Sequence, residues 1–222
     1  MTRIDADAVW LRVLARVRAI ALASICAIGA AAHADGSAAA GKGRFGLCES
    51  CHGVQAQGNV GLGAPAIAGL PAWYVTRQLE NFRAARRGVA RDDARGQQMR
   101  SMAQTLESPE AVADVVAYLA TLTPAARAET IHADAAHGKT LYATCLACHG
   151  DVGQGNEAMQ APPLRYSDDW YLLRQLENFA TGRRGAAEGD TLGEQMRAMA
   201  STLSDDTARR DVVAYIATLK AP

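Results

Sequence analysis

The chain of 222 residues carries 23 basic and 23 acidic side chains, so no net field draws it to nucleic acid or to an anionic membrane surface. Its length admits one large domain or two small ones. Aromatic residues are only 5% of it, so a core built among so much Ala and Gly wants another large apolar body.

Residues 1–34 read as a cleaved signal peptide that sends the chain to the periplasm. Arg12, Arg16 and Arg18 form a positive region, residues 19–32 are small and apolar, and Ala32-His33-Ala34 offers an A-x-A cleavage site before Asp35. The apolar stretch is shorter than the about 20 residues that span a bilayer, although an uncleaved anchoring helix competes with this reading. Cys26 lies inside it, after Ile25 where a lipoprotein signal wants a small residue, and reads as a small apolar side chain discarded with the peptide. The mature chain then has a formal charge of −2 and four cysteines, Cys48, Cys51, Cys145 and Cys148.

From Asp35 onward the periodicity is helical. A first helix leads into Cys48-Glu49-Ser50-Cys51-His52, a Gly-rich loop follows over 58–69, and a second helix is expected over 73–87. Met99 and Met102 come next. Ser108-Pro109 then opens a helix whose Val112, Val115, Val116, Leu119 and Leu122 recur at three- and four-residue steps. Pro124 stops it, and residues 124–134 form a linker too short to be a flexible tether, so the flanking domains should pack together.

A shift of 97 residues lays the chain on itself without a gap. Cys48, Cys51 and His52 fall on Cys145, Cys148 and His149. Gln57-Gly58-Asn59 falls on Gln154-Gly155-Asn156, and the Arg-Gln-Leu-Glu-Asn-Phe at 77–82 on 174–179. Arg86-Arg87-Gly88 falls on Arg183-Arg184-Gly185, and Gln98-Met99-Arg100 on Gln195-Met196-Arg197. Such a repeat means two copies of one domain, 35–123 and 135–222. No alternating strand run is present, so the fold class is all-α.

Cys-x-x-Cys-His is an attachment signal for haem c. Cysteines at i and i+3 share one side of a helical turn, where both sulfurs reach the haem vinyls, and the His at i+4 lies on the same face to ligate iron. A zinc ribbon would hold its Cys pairs closer in sequence. A thioredoxin pair needs a βαβ context, and structural disulfides remain the blandest alternative. Two haem c groups are therefore expected, with covalent attachment at Cys48, Cys51, Cys145 and Cys148 and axial ligation by His52 and His149. The remaining axial position points to Met-x-x-Met in each copy, Met99 and Met102, then Met196 and Met199, which are four of the six methionines. A thioether ligand raises the haem potential. Spacing alone does not choose within each pair.

Each repeat resembles a class I cytochrome c domain, and the mature chain resembles the cytochrome c4 family, two tandem class I domains related by duplication. The resemblance covers roughly 36–222 and rests on four features. They are Cys-x-x-Cys-His-Gly, Pro65-Ala66-Ile67 with Pro162-Pro163-Leu164, the Tyr74 to Phe82 and Tyr171 to Phe179 segments, and the Met-led runs ending at Leu106 and Leu203. It implies that Met99 and Met196 are the ligands, and that the Pro65 and Pro162 carbonyls accept from the imidazoles of His52 and His149. One departure is local: Arg165-Tyr166-Ser167 replaces Ala68-Gly69-Leu70.

Arg86-Arg87 and Arg183-Arg184 read as neighbours of helix C-termini, with a docking patch or haem-propionate contact as the sharper alternative. Arg77 and Arg174 suit the propionates somewhat better, and Gln78 and Gln175 either join them or face solvent. His132 and His137 have no histidine counterparts in the first copy and read as surface residues. The second copy is the more acidic, which would orient the molecule on a partner. The expected function is electron carriage between redox protein partners, from an upstream reductase or dehydrogenase to a membrane terminal oxidase, with no catalytic residues. The dihaem subunit of a dehydrogenase complex is one alternative. A dihaem peroxidase would need an open iron position. A thiosulfate-oxidising dihaem enzyme would be marked by an unusual ligand such as Cys, and no Cys is left over.

Overall fold

The computed structural model describes residues 36–219, all within a unit that runs from Asp35 to Pro222. The expected export signal and its cleavage site lie outside the described residues. The first repeat forms α1 (Ala38–His52), α2 (Ala72–Arg83), α3 (Ala94–Gln104) and α4 (Pro109–Leu119). The second forms α5 (Ala135–Tyr142), α6 (Leu146–His149), α7 (Asp169–Ala180), α8 (Thr191–Ala200) and α9 (Asp206–Thr218). The fold is all-α. Among the described residues only two isolated bridges occur, Asn59 with Ala64 and Asn156 with Ala161.

The helix starts follow from their caps. Ser108 accepts from the Ala111 N–H with Pro109 in the first turn, and Asp205 accepts from the Ala208 N–H. Asp93 and Asp190 cap α3 and α8 by accepting from the Gly96 and Gly193 N–H groups.

One main helix crossing holds each repeat together, α1 on α4 in the first and α5 on α9 in the second. Their closeness depends on Gly41 and Gly138, where a Cβ would overlap the Asp114 and Asp211 carbonyls respectively. Beside these crossings Phe45 meets Tyr118 and Tyr142 meets Tyr215, each with centroids 5.3 Å apart. Gly41→Ala or Gly138→Ala is expected to cost about 1–3 kcal/mol through overpacking. The check is a lowered thermal midpoint, and unchanged midpoints would show that the helices can part freely.

The segment between α4 and α5 has no helix or strand and is held down at Arg127, Thr130 and Ile131. Arg127 donates to the Tyr166 carbonyl from Nε at 3.0 Å and to the Ala68 carbonyl from Nη2 at 3.2 Å. Further on, the Asp169 carboxylate accepts from the N–H and hydroxyl of Thr130 and from the N–H of Ile131. No helix among the described residues is long and apolar enough to cross a membrane.

Candidate functional site

The last turn of α1 carries Cys48, Cys51 and His52, and Cys145, Cys148 and His149 occupy the same places at α6. Each helix stops at a glycine in the left-handed region, Gly53 at φ +81° and Gly150 at φ +80°. None of the four cysteines forms a disulfide. Burial, and secondarily Cys51, pushes the Cys48 thiol up. Burial does the same to Cys145, with a Thr144 hydrogen bond pulling back. Both therefore stay protonated at neutral pH.

His52 and His149 are buried, and each Nδ1 lies in hydrogen-bond reach of a proline carbonyl, Pro65 at 2.7 Å and Pro162 at 2.8 Å. A carbonyl can only accept, so Nδ1 donates and Nε2 keeps its lone pair free. Burial holds both imidazoles below their ordinary value, with the carbonyl bonds opposing it. The neutral ring is the ligating form. Gly58 makes the approach of the proline loop feasible. At φ +85° its N–H donates to the His52 carbonyl at 2.7 Å, and a Cβ there would press on the Ala66 nitrogen and the Pro65 carbonyl carbon.

Cys48, Cys51, His52, Met99 and Met102 line one cavity of about 190 Å³, whose apolar walls include Phe45, Val75, Phe82 and Val115. Met99 and Met102 are both half-buried on α3. In the second copy exposure separates the pair: Met196 is half-buried on α8, whereas Met199 is 39% exposed.

The paired arginines depart from expectation. The helices end at Arg83 and Ala180, so both pairs sit in the turns beyond, where Ala85 takes φ +58°. Arg86 is exposed, but Arg87 turns inward and lines the cavity. Its Nη2 donates across to the Tyr171 hydroxyl at 2.7 Å and to Gln175 Oε1 at 2.9 Å, and its Nη1 to Gln78 Oε1 at 2.8 Å. Arg184 mirrors it, donating to Gln175 at 2.8 Å and to Gln78 at 2.9 Å. Arg77 reaches Gln160 at 3.0 Å and Arg174 reaches the Gly63 carbonyl at 2.7 Å, each in the other copy's Gly-rich loop. Arg183 pairs with Asp92 at 2.7 Å. Helix C-termini explain little of this. The repeated Arg and Gln residues form a pseudosymmetric interface between the copies, so Gln78 and Gln175 do not face solvent. His137 is a surface residue, paired with Asp211 at 2.8 Å.

Arg87 and Arg184 are like charges in one buried network. Burial, and next the repulsion of Arg87, hold the Arg184 guanidinium below its ordinary value. Among the described residues neither has a carboxylate in ion-pair contact. A haem c fits this donor set: two thiols on one helical face, a bare imidazole nitrogen, a thioether, apolar walls, and guanidinium donors at one end that would suit carboxylates. Asp168 and Asp169, which bind Ala66 and the connecting segment, were not singled out from the sequence. The signal available was that they stand where the first copy has Pro71-Ala72.

The Cytochrome c family model matches residues 38–123 and again 135–220. The cytochrome c4 of Azotobacter vinelandii is 30% identical over 188 residues, 78% of this chain and 85% of that protein. The thiosulfate dehydrogenase electron acceptor of Stutzerimonas stutzeri strain A1501 is 32% identical over 171 residues, 72% of this chain and 73% of that protein. Among solved structures, reduced recombinant cytochrome c4 from Pseudomonas stutzeri superposes with a TM-score of 0.65 at 28% identity, over 82% of this chain and 97% of that chain.

Proposed function

This chain belongs to the cytochrome c4 family of dihaem electron-transfer proteins, and from that premise we propose that it shuttles electrons in the periplasm from an upstream dehydrogenase or reductase to a membrane terminal oxidase. It holds two haem c groups, one per cytochrome c domain. We place the domains at 35–123 and 135–222, joined by 124–134 and preceded by a cleaved signal at 1–34. Covalent attachment falls to Cys48 and Cys51 and to Cys145 and Cys148. Axial ligation falls to His52 with Met99 and to His149 with Met196.

One observation carries the reading: in both copies a buried His with a free Nε2 lies 47 residues before a half-buried Met in the same repeat frame. Each iron, when bound, supplies a one-electron couple. The protein's part is to hold that couple still and dry. Pro65 and Pro162 fix the imidazole planes and their tautomer. A thioether in the remaining position excludes peroxide and oxygen. Arg87 and Arg184 supply positive charge where the two domains meet, and the packed interface keeps the sites at fixed separation. Leu47 and Leu62 line the mouth of the first cavity and are 59% and 42% exposed, an apolar rim suited to a redox partner.

A second reading concerns the donor. The likeness to a thiosulfate dehydrogenase electron acceptor favours a sulfur-oxidising dehydrogenase upstream. Purified protein, denatured, should keep two haems by mass. Once reduced, it should be oxidised by oxidase-bearing membranes and show no turnover of peroxide. Reduction by thiosulfate only when a thiosulfate dehydrogenase is added would select the second donor. A high-spin haem that reacts rapidly with peroxide would overturn carriage itself.

A further inference from the structure

The two His–Pro contacts look alike, but the peptides that make them do not. The first is the Pro65–Ala66 peptide. Its carbonyl accepts from His52 Nδ1 at 2.7 Å, and its N–H donates to Asp168 Oδ2 at 2.8 Å. Asp168 comes from the second domain, just ahead of α7, and is 8% exposed. The equivalent peptide in the second site joins Pro162 to Pro163, and proline has no N–H to give. Pro71 stands in the first repeat where Asp168 stands in the second, so the acid is missing as well.

We propose that Asp168 is a positioning residue for the first haem site, acting on His52 through the Pro65–Ala66 peptide, with no equivalent at His149. This deepens the electron-carrier reading and rests on His52 being an axial ligand. A peptide is one conjugated dipole. A carboxylate accepting at its N–H draws charge towards the carbonyl oxygen, which then accepts more strongly from Nδ1. The imidazole gains anionic character, a better donor to ferric than to ferrous iron, so the potential of that haem falls. Burial pushes the Asp168 carboxyl up, and Asp169 adds to it; the Ala66 N–H and Arg127 oppose this and favour the charged form. Arg127 does so without capturing the carboxylate, since its Nε lies 3.8 Å from Oδ1 while its guanidinium also serves the Tyr166 and Ala68 carbonyls. Asp169, adjacent in sequence, turns away to Thr130 and Ile131. Each domain therefore touches the other's chemistry unequally: the second tunes the first, and the first has no matching acid to return the effect.

Two substitutions separate this relay from bulk electrostatics. Asp168→Asn keeps an acceptor oxygen of the same shape and removes the charge. Ala66→Pro removes the N–H and reproduces the Pro-Pro peptide that the second repeat already accommodates. In the haem-loaded protein, NMR-monitored redox titration follows each haem, and the Nδ1–H resonance of each axial His in the reduced state reports its hydrogen bond. Both variants should shift the His52 Nδ1–H upfield and move the first haem to more positive potential, with His149 and its haem nearly still. The double variant should shift no further than either single one. Unchanged His52 signals in Asp168→Asn overturn the proposal, as do equal shifts at both haems. If Ala66→Pro leaves the first haem in place while Asp168→Asn moves it, the charge acts through space and the relay is overturned. Failure of electron carriage would appear separately, as a high-spin haem in the unaltered protein.

Discussion

Met99→Ala is expected to remove about half of the far-red sulfur-to-iron absorption of the oxidised protein, and Met196→Ala the other half, each lowering the potential of its own haem. The expectation joins sequence to geometry. Met99 and Met196 hold the same place in the repeat, 47 residues after His52 and His149. Each lies on a helix started by a buried aspartate, Asp93 and Asp190, whose carboxylates accept from the Gly96 and Gly193 N–H groups at 2.9 and 3.1 Å. Those glycines admit no Cβ, because one would overlap the capping carboxylate. The start of each Met helix is thereby pinned one turn ahead of the sulfur. The alternatives separate by exposure in the second copy, since Met199 reaches solvent and Met196 does not to that extent. Met102→Ala and Met199→Ala should leave most of the band. If they abolish it and the first pair does not, the ligands are the later methionines and the carrier reading stands.

Replacing Arg87 and Arg184 together by Ala is expected to divide one cooperative unfolding transition into two. Three of their hydrogen bonds cross between domains: Arg87 to Tyr171, Arg87 to Gln175, and Arg184 to Gln78. Hydrogen bonds to charged groups contribute about 1.5–3 kcal/mol each, and relief of the repulsion between two guanidiniums offsets part of the loss. A net weakening of about 3 kcal/mol follows. The aromatic floor goes too, because Arg87 stacks on Phe82 and Arg184 on Phe179, each 4.5 Å from the ring centre. Both haem potentials should also fall, since two cations leave the interface and one of them lines the first cavity. Calorimetry and small-angle scattering on the haem-loaded double variant give the check. A single transition at the original midpoint with unchanged dimensions would place the grip between domains elsewhere.

The residues differ in how plainly they announce their role. Cys48 to His52 and its copy carry their chemistry in their spacing, because a helical turn alone sets which side chains share a face. Ser108-Pro109 and Asp205 mark helix starts for an equally local reason. The end of α2 was harder to read. Ala84 and Ala85 are strong helix formers, yet Ala85 is left-handed, and Gly88 packs where a Cβ would overlap the Gly96 carbonyl of the next helix. Tertiary contact stops that helix, not local preference. Arg87 looks the same in sequence whether it meets water or a second domain, and only the pose of the two copies decides. Its repetition in both copies was the available sign, as was the change from Pro71-Ala72 to Asp168-Asp169. The cytochrome resemblance supplied the proline carbonyls, which no periodicity in the chain would have revealed.

The connections built into the second repeat have a bearing on how many repeats can be strung together. Asp169 captures the strand of chain that enters its own repeat, and Asp168 reaches back to an N–H in the repeat before it. A unit of the second type therefore brings its own coupling to whatever precedes it, on condition that the predecessor offers an N–H at the place of Ala66. The second repeat has Pro163 there. A third unit appended to this chain would find its backward-reaching acid buried against a proline with nothing to donate. Pro163 thus does two things at once: it denies a following acid of that kind its donor, and it leaves the second imidazole without a charge relayed through its proline peptide.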